Sequence, residues 1–111
     1  MPVEVTSRHM NATDAIQDYA RRRGAALAEE FTRVEHVHII LDVEKHRQIA
    51  SVMVQGRNRL RLETREDSEN MKTSVDLAMD KVERQLRKEK EKVRDHKSAM
   101  RQEEEDRAKS L

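Results

Sequence analysis

The chain has 111 residues, of which 41% are charged and 35% are hydrophobic. A chain of this length builds one modest core, and ordinary globular chains are roughly 45–50% apolar, so much of this chain must lie outside the core. The sequence has no cysteine, which excludes disulfides and thiolate metal sites, and no apolar run has the length of a signal peptide or a membrane span. These features predict a soluble, cytoplasmic protein that does not contact membranes.

Positive and negative residues are segregated along the chain, although the net charge is only +1. A net charge this small attracts nucleic acid weakly, so any such affinity depends on where the cations cluster. Cations gather in residues 21–23, 57–65 and 81–97, whereas acidic residues gather in 103–106. With one tyrosine, one phenylalanine and no tryptophan, the chain has too few rings for a platform that stacks single-stranded bases.

The N-terminal part of the sequence predicts a strand followed by a helix. Val3 and Val5 alternate with polar residues up to about Arg8, which is typical of a half-buried strand. Thr13 then precedes an apolar stripe with helical spacing, and its hydroxyl can cap the helix that starts there. Gly24 lies within this stripe, where we expect it to allow close packing of the helix on a sheet.

Three strands follow the first helix. Residues 36–43 alternate between two faces, residues 44–47 form a polar turn, and residues 49–54 alternate again. Gly56 and Asn58 are residue types that tolerate positive φ, so they predict a hairpin. The strand that returns from this hairpin carries arginines on its outer face.

The longest helical pattern covers residues 70–92. Its apolar residues fall at steps of three and four and are Met71, Val75, Ala78, Val82 and Leu86. The sequence therefore predicts an α+β fold of order β-α-β-β-β-α, a four-stranded sheet with two helices packed side by side on one face. Residues 1–97 form this domain in the prediction, and residues 98–111 form a charged, disordered tail.

No motif for catalysis, cofactor binding or metal binding stands out. His36 and His38 share one face of a predicted strand, but no cysteine or carboxylate cluster supplies a third metal ligand. Paired acidic residues occur without the apolar neighbours that form a pocket. We therefore predict a protein that is not an enzyme and that has no cofactor, no metal and no small-molecule substrate.

Basic residues in three segments are the strongest functional signal: residues 21–23 on helix one, 57–65 on the last hairpin and 81–92 on helix two. Helices side by side would place the basic residues of the two helices along one stripe suited to phosphates, although a run of charges is equally typical of a solvated helix face. The candidate RNA-binding residues are Arg21, Arg22, Arg23, Lys81, Arg84, Arg87 and Lys88.

Three segments resemble the ribosome hibernation-promoting factors, whose short members include a ribosome-associated inhibitor once described as a sigma-54 modulation protein. They are VEVTSRHMNATDAI at 3–16, HVHIILDVEKHR at 36–47 and MKTSVDLAMDKVERQLRK at 71–88. The last segment, above all DKVERQLRK, is the most specific. The resemblance covers residues 3–92 and implies the fold given above.

The resemblance also implies a function and a partner. A short-form factor of this kind binds the small ribosomal subunit in the channel for mRNA and tRNA and inhibits translation in idle or stressed cells, such as those in stationary phase. Its basic helix residues contact ribosomal RNA, and the matching positions here are Arg23, Lys81, Arg84 and Lys88. The free protein is then expected to be a monomer.

Helix one departs from the family, because alanines and Glu29 stand where lysines are common. Its RNA contact is therefore expected to shift to Arg21 and Arg22 or to be weaker. Family members with a C-terminal extension tend to keep ribosomes as single inactive particles, which the resemblance implies for residues 98–111; a passive solubilising segment is the equal alternative. The alternative function is a protein-interaction module that regulates transcription or a stress response through its charged helix faces.

Overall fold

The structure, a computed structural model, describes residues 3–94, with side chains described for residues 3–88. The elements in chain order are β1 (Val3–Arg8), α1 (Asp14–Glu30), β2 (Val34–Glu44), β3 (Arg47–Gly56), β4 (Arg61–Ser68) and α2 (Met71–Arg94). This order confirms the predicted α+β fold. The tail predicted for residues 98–111 lies outside the described residues.

The four strands form one mixed sheet in the order β1-β2-β3-β4. β1 and β2 are parallel because α1 carries the chain back along the sheet between them. β2, β3 and β4 are antiparallel neighbours joined by two hairpins. α1 packs on β1 and β2, whereas α2 packs on β3 and β4 and also contacts α1. The edge strand β4 therefore lies beside α2.

A single apolar layer joins the sheet to both helices. The central strands supply fully buried residues that include Val37, Ile39 and Leu41, and α1 supplies Ala20 and Leu27. The apolar stripe predicted for α2 is also buried and consists of Met71, Val75, Ala78, Val82 and Leu86. Within residues 3–94, neither helix combines the length and the apolarity needed to cross a membrane.

Both helices begin at the polar residues expected to cap them. The Thr13 hydroxyl accepts a hydrogen bond from the Ile16 N–H at 3.2 Å. The Asn70 side-chain oxygen accepts one from the Thr73 N–H at 3.1 Å. Each side chain satisfies a donor that the first turn leaves unpaired, so the predicted helix starts are confirmed.

Gly56 is needed for space and not for positive φ. The residues with positive φ in this hairpin are Asn58 at 58° and Arg59 at 62°, and the φ of Gly56 is not positive. A Cβ atom on Gly56 would lie 2.0 Å from the carbonyl oxygen of Arg33. The expected reason for this glycine was wrong, because it allows the hairpin to approach the loop after α1.

Gly24 allows α1 to approach the sheet, as the sequence predicted. A Cβ atom at this position would lie 2.7 Å from Cγ1 of Val3 and 3.3 Å from Cδ1 of Ile39. The first distance is shorter than a van der Waals contact, and Val3 has no flexible side chain that could yield. The missing side chain therefore sets the distance between α1 and β1.

We predict that Gly24→Ala destabilises the protein, although alanine favours a helix by about 1 kcal/mol. Overpacking costs about 1–3 kcal/mol, so the net loss should be about 1 kcal/mol in urea unfolding. In a Val3→Ala background, which removes the clashing methyl group, the same substitution should be neutral or stabilising. An equal loss in both backgrounds would show that contact with Val3 does not explain the glycine.

Candidate nucleic-acid interface

A shallow groove lies between α2 and the edge strand β4 and encloses about 350 Å³. We call it the basic groove, and its lining residues are Glu63, Thr64, Arg65, Lys81, Arg84, Gln85 and Lys88. Four of these side chains are cations and one is a carboxylate. A depression with this excess of positive charge attracts polyanions.

Three cations of the basic groove come from one face of α2. Lys81, Arg84 and Lys88 follow one another at steps of three and four, so they share a face, and all three are exposed. The Thr64 hydroxyl fixes the helix on β4 by donating a hydrogen bond to the carbonyl of Ala78 at 3.1 Å. This buried hydrogen bond fixes the orientation of the α2 face that carries the three cations.

The three cations differ in their ion pairs. Lys81 pairs with Glu66 on β4. Among the described side chains, no carboxylate pairs with Arg84 or Lys88. Within the described side chains, Lys81 therefore shares its charge with a neighbouring carboxylate, whereas Arg84 and Lys88 do not.

Arg65 completes the basic groove from the strand side, and the sequence analysis did not select it as a site residue. It belongs to the arginine-rich hairpin segment, but only the position of α2 shows that it meets Lys81 and Arg84. Its guanidinium lies 3.6 Å from the carboxylate of Glu44, and both side chains are mostly exposed. Exposed pairs of this kind contribute about 0–1 kcal/mol, so a phosphate can compete for Arg65.

Arg23 lies between the two helices, on the flank of α2 that faces away from the basic groove. Its guanidinium is 3.7 Å from Asp76, 3.3 Å from Asp80 and 3.9 Å from Glu83. We call these three carboxylates the acidic flank. The Arg23 side chain is only 28% exposed, so it stabilises the contact between α1 and α2.

The other predicted arginines also lie near carboxylates. The Arg87 guanidinium is 3.6 Å from Glu30 at the end of α1, and Arg22 pairs with Asp18 one turn before it at 3.2 Å. Arg21 is exposed and lines a surface depression that also includes Asp18.

The candidate residues therefore form two groups. Lys81, Arg84 and Lys88 belong to the basic groove, whereas Arg87 and the arginines of residues 21–23 lie among carboxylates on the α1 side. The expectation of one continuous basic stripe across both helices was wrong, because the acidic flank separates the two groups.

Tyr19 strengthens the contact between the helices at the N-terminal end of the acidic flank. Its hydroxyl donates a hydrogen bond to the Asp76 carboxylate, and this bond, with burial, raises the pKa of Tyr19 above its usual value. The Lys72 ammonium lies 5.2 Å from the centre of the tyrosine ring, within the range of a cation–π contact. The ring is therefore engaged inside the protein.

His9 and His38 each have one polar neighbour. His38 Nε2 lies 2.8 Å from the Thr6 hydroxyl, and His9 Nδ1 lies 3.0 Å from the Asp42 carboxylate. The bond from His9 lowers the pKa of Asp42. Within residues 3–94, no three His, Asp or Glu side chains converge in a way that could hold a metal ion.

The fold and the basic groove define a small α+β protein with a surface suited to phosphates. Residues 3–94 match the family model described as Sigma 54 modulation protein / S30EA ribosomal protein. The chain is 34% identical over 94 residues to a ribosome hibernation promoting factor of Azotobacter vinelandii, covering 83% of this chain and 85% of that protein. It is 29% identical over 98 residues to one of Escherichia coli K12, covering 86% of this chain and 100% of that protein.

Solved structures share the same fold. A ribosomal subunit interface protein from Coxiella burnetii superposes with a TM-score of 0.73 at 23% identity, covering 81% of this chain and 98% of that one. The N-terminal domain of Thermus thermophilus Protein Y superposes with a TM-score of 0.70 at 22% identity, covering 79% and 98%. The chain belongs to the Sigma 54 modulation protein / S30EA ribosomal protein family, which confirms the resemblance to the hibernation-promoting factors.

We predict that Arg23→Gln lowers the free energy of unfolding by about 1–2 kcal/mol, a value between those of exposed and buried ion pairs. The substitution leaves three carboxylates of the acidic flank facing each other without their cation. The matched control is Arg22→Gln, which breaks one exposed pair within a helix and should cost at most about 0.5 kcal/mol. Equal losses in urea unfolding would refute a special role of Arg23 in helix packing.

We also predict that Tyr19 titrates above the ordinary tyrosine pKa of 10.0. Replacing Asp76 with asparagine removes the charged acceptor and should bring the pKa down. Tyr19 is the only tyrosine and the chain has no tryptophan, so the ultraviolet absorbance of the phenolate reports this residue alone. A pKa unchanged by Asp76→Asn would contradict the hydrogen bond.

Proposed function

We propose that this protein is a ribosome hibernation factor that binds the small ribosomal subunit in the channel for mRNA and tRNA and inhibits translation in idle or stressed cells. The observation that carries the proposal is the family match over residues 3–94, together with relatives named ribosome hibernation promoting factor. The protein acts in the cytoplasm, where ribosomes are, and its action requires no chemical step.

The basic groove supplies the physical means of binding in this proposal. Lys81, Arg84 and Lys88 replace cations condensed around the phosphates of folded ribosomal RNA, and the release of those counterions favours association. The cations stand on a helix fixed to the sheet, so little conformational entropy is lost when RNA binds. Inhibition then follows from occupancy, because the bound protein fills space that mRNA and tRNA need.

The acidic flank gives the bound protein a preferred orientation. Asp80 is exposed on the side of α2 that faces α1, and RNA phosphates would be repelled from it. The face that approaches RNA is therefore the one formed by α2 and β4. Contacts from Arg21, Arg22, Arg23 and Arg87 remain predictions, and for Arg23 they compete with its three carboxylates.

We predict that the triple substitution of Lys81, Arg84 and Lys88 by alanine abolishes association with small subunits but leaves the melting temperature within a few degrees. All three side chains are exposed, and exposed charges contribute little to stability. Co-sedimentation with purified small subunits measures association. If on the order of six phosphates are neutralised, wild-type affinity should fall roughly a thousandfold between about 50 and 200 mM salt.

The matched control keeps all three charges and changes only their geometry, as Lys81→Arg, Arg84→Lys and Lys88→Arg. It should bind with nearly wild-type affinity and salt dependence. Wild-type binding by the alanine variant would remove the basic groove from the proposal. Wild-type protein that fails to associate with small subunits at low salt would overturn the function itself.

A further inference from the structure

A second group of cations lies where β3 turns into β4, and none of them is among the candidate residues chosen from the sequence. We call this group the arginine hairpin, and its members are Arg33, Arg57, Arg59 and Arg61. Arg33 comes from the loop after α1, whereas the other three come from the hairpin and the start of β4. Two chain segments thus bring four positive charges to one end of the sheet.

Hydrogen bonds hold the two segments together and fix the backbone of the arginine hairpin. The Arg57 N–H donates to the carbonyl of Arg33 at 3.0 Å, and Nη2 of Arg33 donates to the carbonyl of Arg57 at 3.3 Å. The Arg57 guanidinium also donates to the carbonyl of Thr32 at 3.1 Å. The close approach at Gly56 makes this arrangement possible.

The charge of the arginine hairpin is not neutralised within the described part of the chain. No described carboxylate forms an ion pair with any of its four members. Glu30, at the nearby end of α1, pairs with Arg87 instead. Nε and Nη1 of Arg33 are buried and have no hydrogen-bond partner, although buried donors are normally paired. Like charges fixed together without a counter-charge favour an anionic ligand.

The arginine hairpin lies beyond the C-terminal end of the basic groove. α2 runs back along β4, as shown by the Ser74 hydroxyl near that of Ser68 at 2.7 Å and by the Thr64 hydroxyl on the carbonyl of Ala78. Later turns of α2 therefore lie nearer the start of β4, where the hairpin is. Arg87, which precedes Lys88, pairs with Glu30 at the end of α1, so Lys88 and the arginine hairpin lie at the same end of the sheet.

We propose that the arginine hairpin binds a backbone phosphate of ribosomal RNA and so extends the basic groove by a second, separate contact. The proposal rests on the proposed function, since it assumes that the protein binds the small subunit. Phosphate fits better than an acidic peptide, because the hairpin continues a groove already suited to a polyanion. Arg59 and Arg61 are exposed and make the contact, whereas Arg33 and Arg57 hold the loops and add charge.

The test removes two positive charges by substitutions that should not destabilise the protein. Arg59 has a left-handed backbone, so Arg59→Gly relieves strain, and Arg61→Gln changes an exposed strand residue. The matched control is Lys45→Gly with Arg8→Gln, because Lys45 also has positive φ, at 57°. Both control residues lie at the opposite end of the sheet, and the control pair loses the same charge.

Binding of each full-length pair to small subunits is measured over a range of salt concentrations. We expect the hairpin pair to lose affinity about tenfold and to show a salt slope shallower by about 1 to 2, as for lost phosphate contacts. Its melting temperature should not fall. The control pair should bind like wild type. Wild-type affinity and slope in the hairpin pair, or an equal loss in the control pair, would overturn the proposal while leaving the proposed function in place.

A crosslink identifies the ligand. The chain has no cysteine, so Arg59→Cys creates a unique thiol to which a photoreactive group can be attached. Irradiation of the complex with small subunits should join the protein to RNA, in a product that ribonuclease digests. A crosslink to a ribosomal protein alone would overturn the assignment to phosphate in favour of an acidic protein surface. Absence of any complex with wild-type protein would overturn the proposed function and this inference together.

Discussion

The rotation of α2 about its own axis is the constraint on which the surface of this protein depends. Burial of its apolar stripe fixes that rotation, because each fully buried aliphatic side chain contributes about 1.5–3 kcal/mol and an exposed ion pair only about 0–1 kcal/mol. Successive helical residues differ by roughly 100° in direction. Asp80 and Lys81, adjacent in sequence, therefore lie on opposite flanks, with Asp80 near Arg23 and Lys81 in the basic groove.

This division explains how a nearly neutral chain presents a strongly basic surface. The carboxylates of the acidic flank are turned towards α1, where Arg23 and Arg87 partly neutralise them and join the two helices. Among the described side chains, Arg84 and Lys88 of the basic groove have no carboxylate partner, whereas Lys81 and Arg65 each pair with one. Because the residues of the acidic flank hold the two helices together on the α1 side, they reduce the positive charge of the basic groove little. The arrangement of charge, and not its sum, determines which face can approach a polyanion.

The sequence predicted what depends on local periodicity and failed where tertiary contacts decide. Element order, the caps at Thr13 and Asn70 and the buried stripe of α2 follow from spacing within single elements. The continuous basic stripe was wrong because spacing alone does not show which flank of α2 meets α1. Arg65 was missed for the same reason, since an edge-strand residue joins the groove only when the helix lies beside it. The reason for glycine at position 56 was missed in the same way, because the backbone that leaves no room for a side chain there belongs to Arg33, which is distant in sequence.

Under the proposed function, the positions of the two aromatic residues favour recognition of phosphates and shape over recognition of bases. Phe31 is buried in the core, and Tyr19 is partly buried, bonded to Asp76 and covered by Lys72. Neither ring can stack on a flipped base, and the chain has no other. The protein therefore offers no exposed aromatic ring on which an RNA base could stack and be distinguished. Under the proposed function, selectivity for one folded RNA surface would come from the fixed spacing of cations on α2 and β4, which only a matching arrangement of phosphates can satisfy at once.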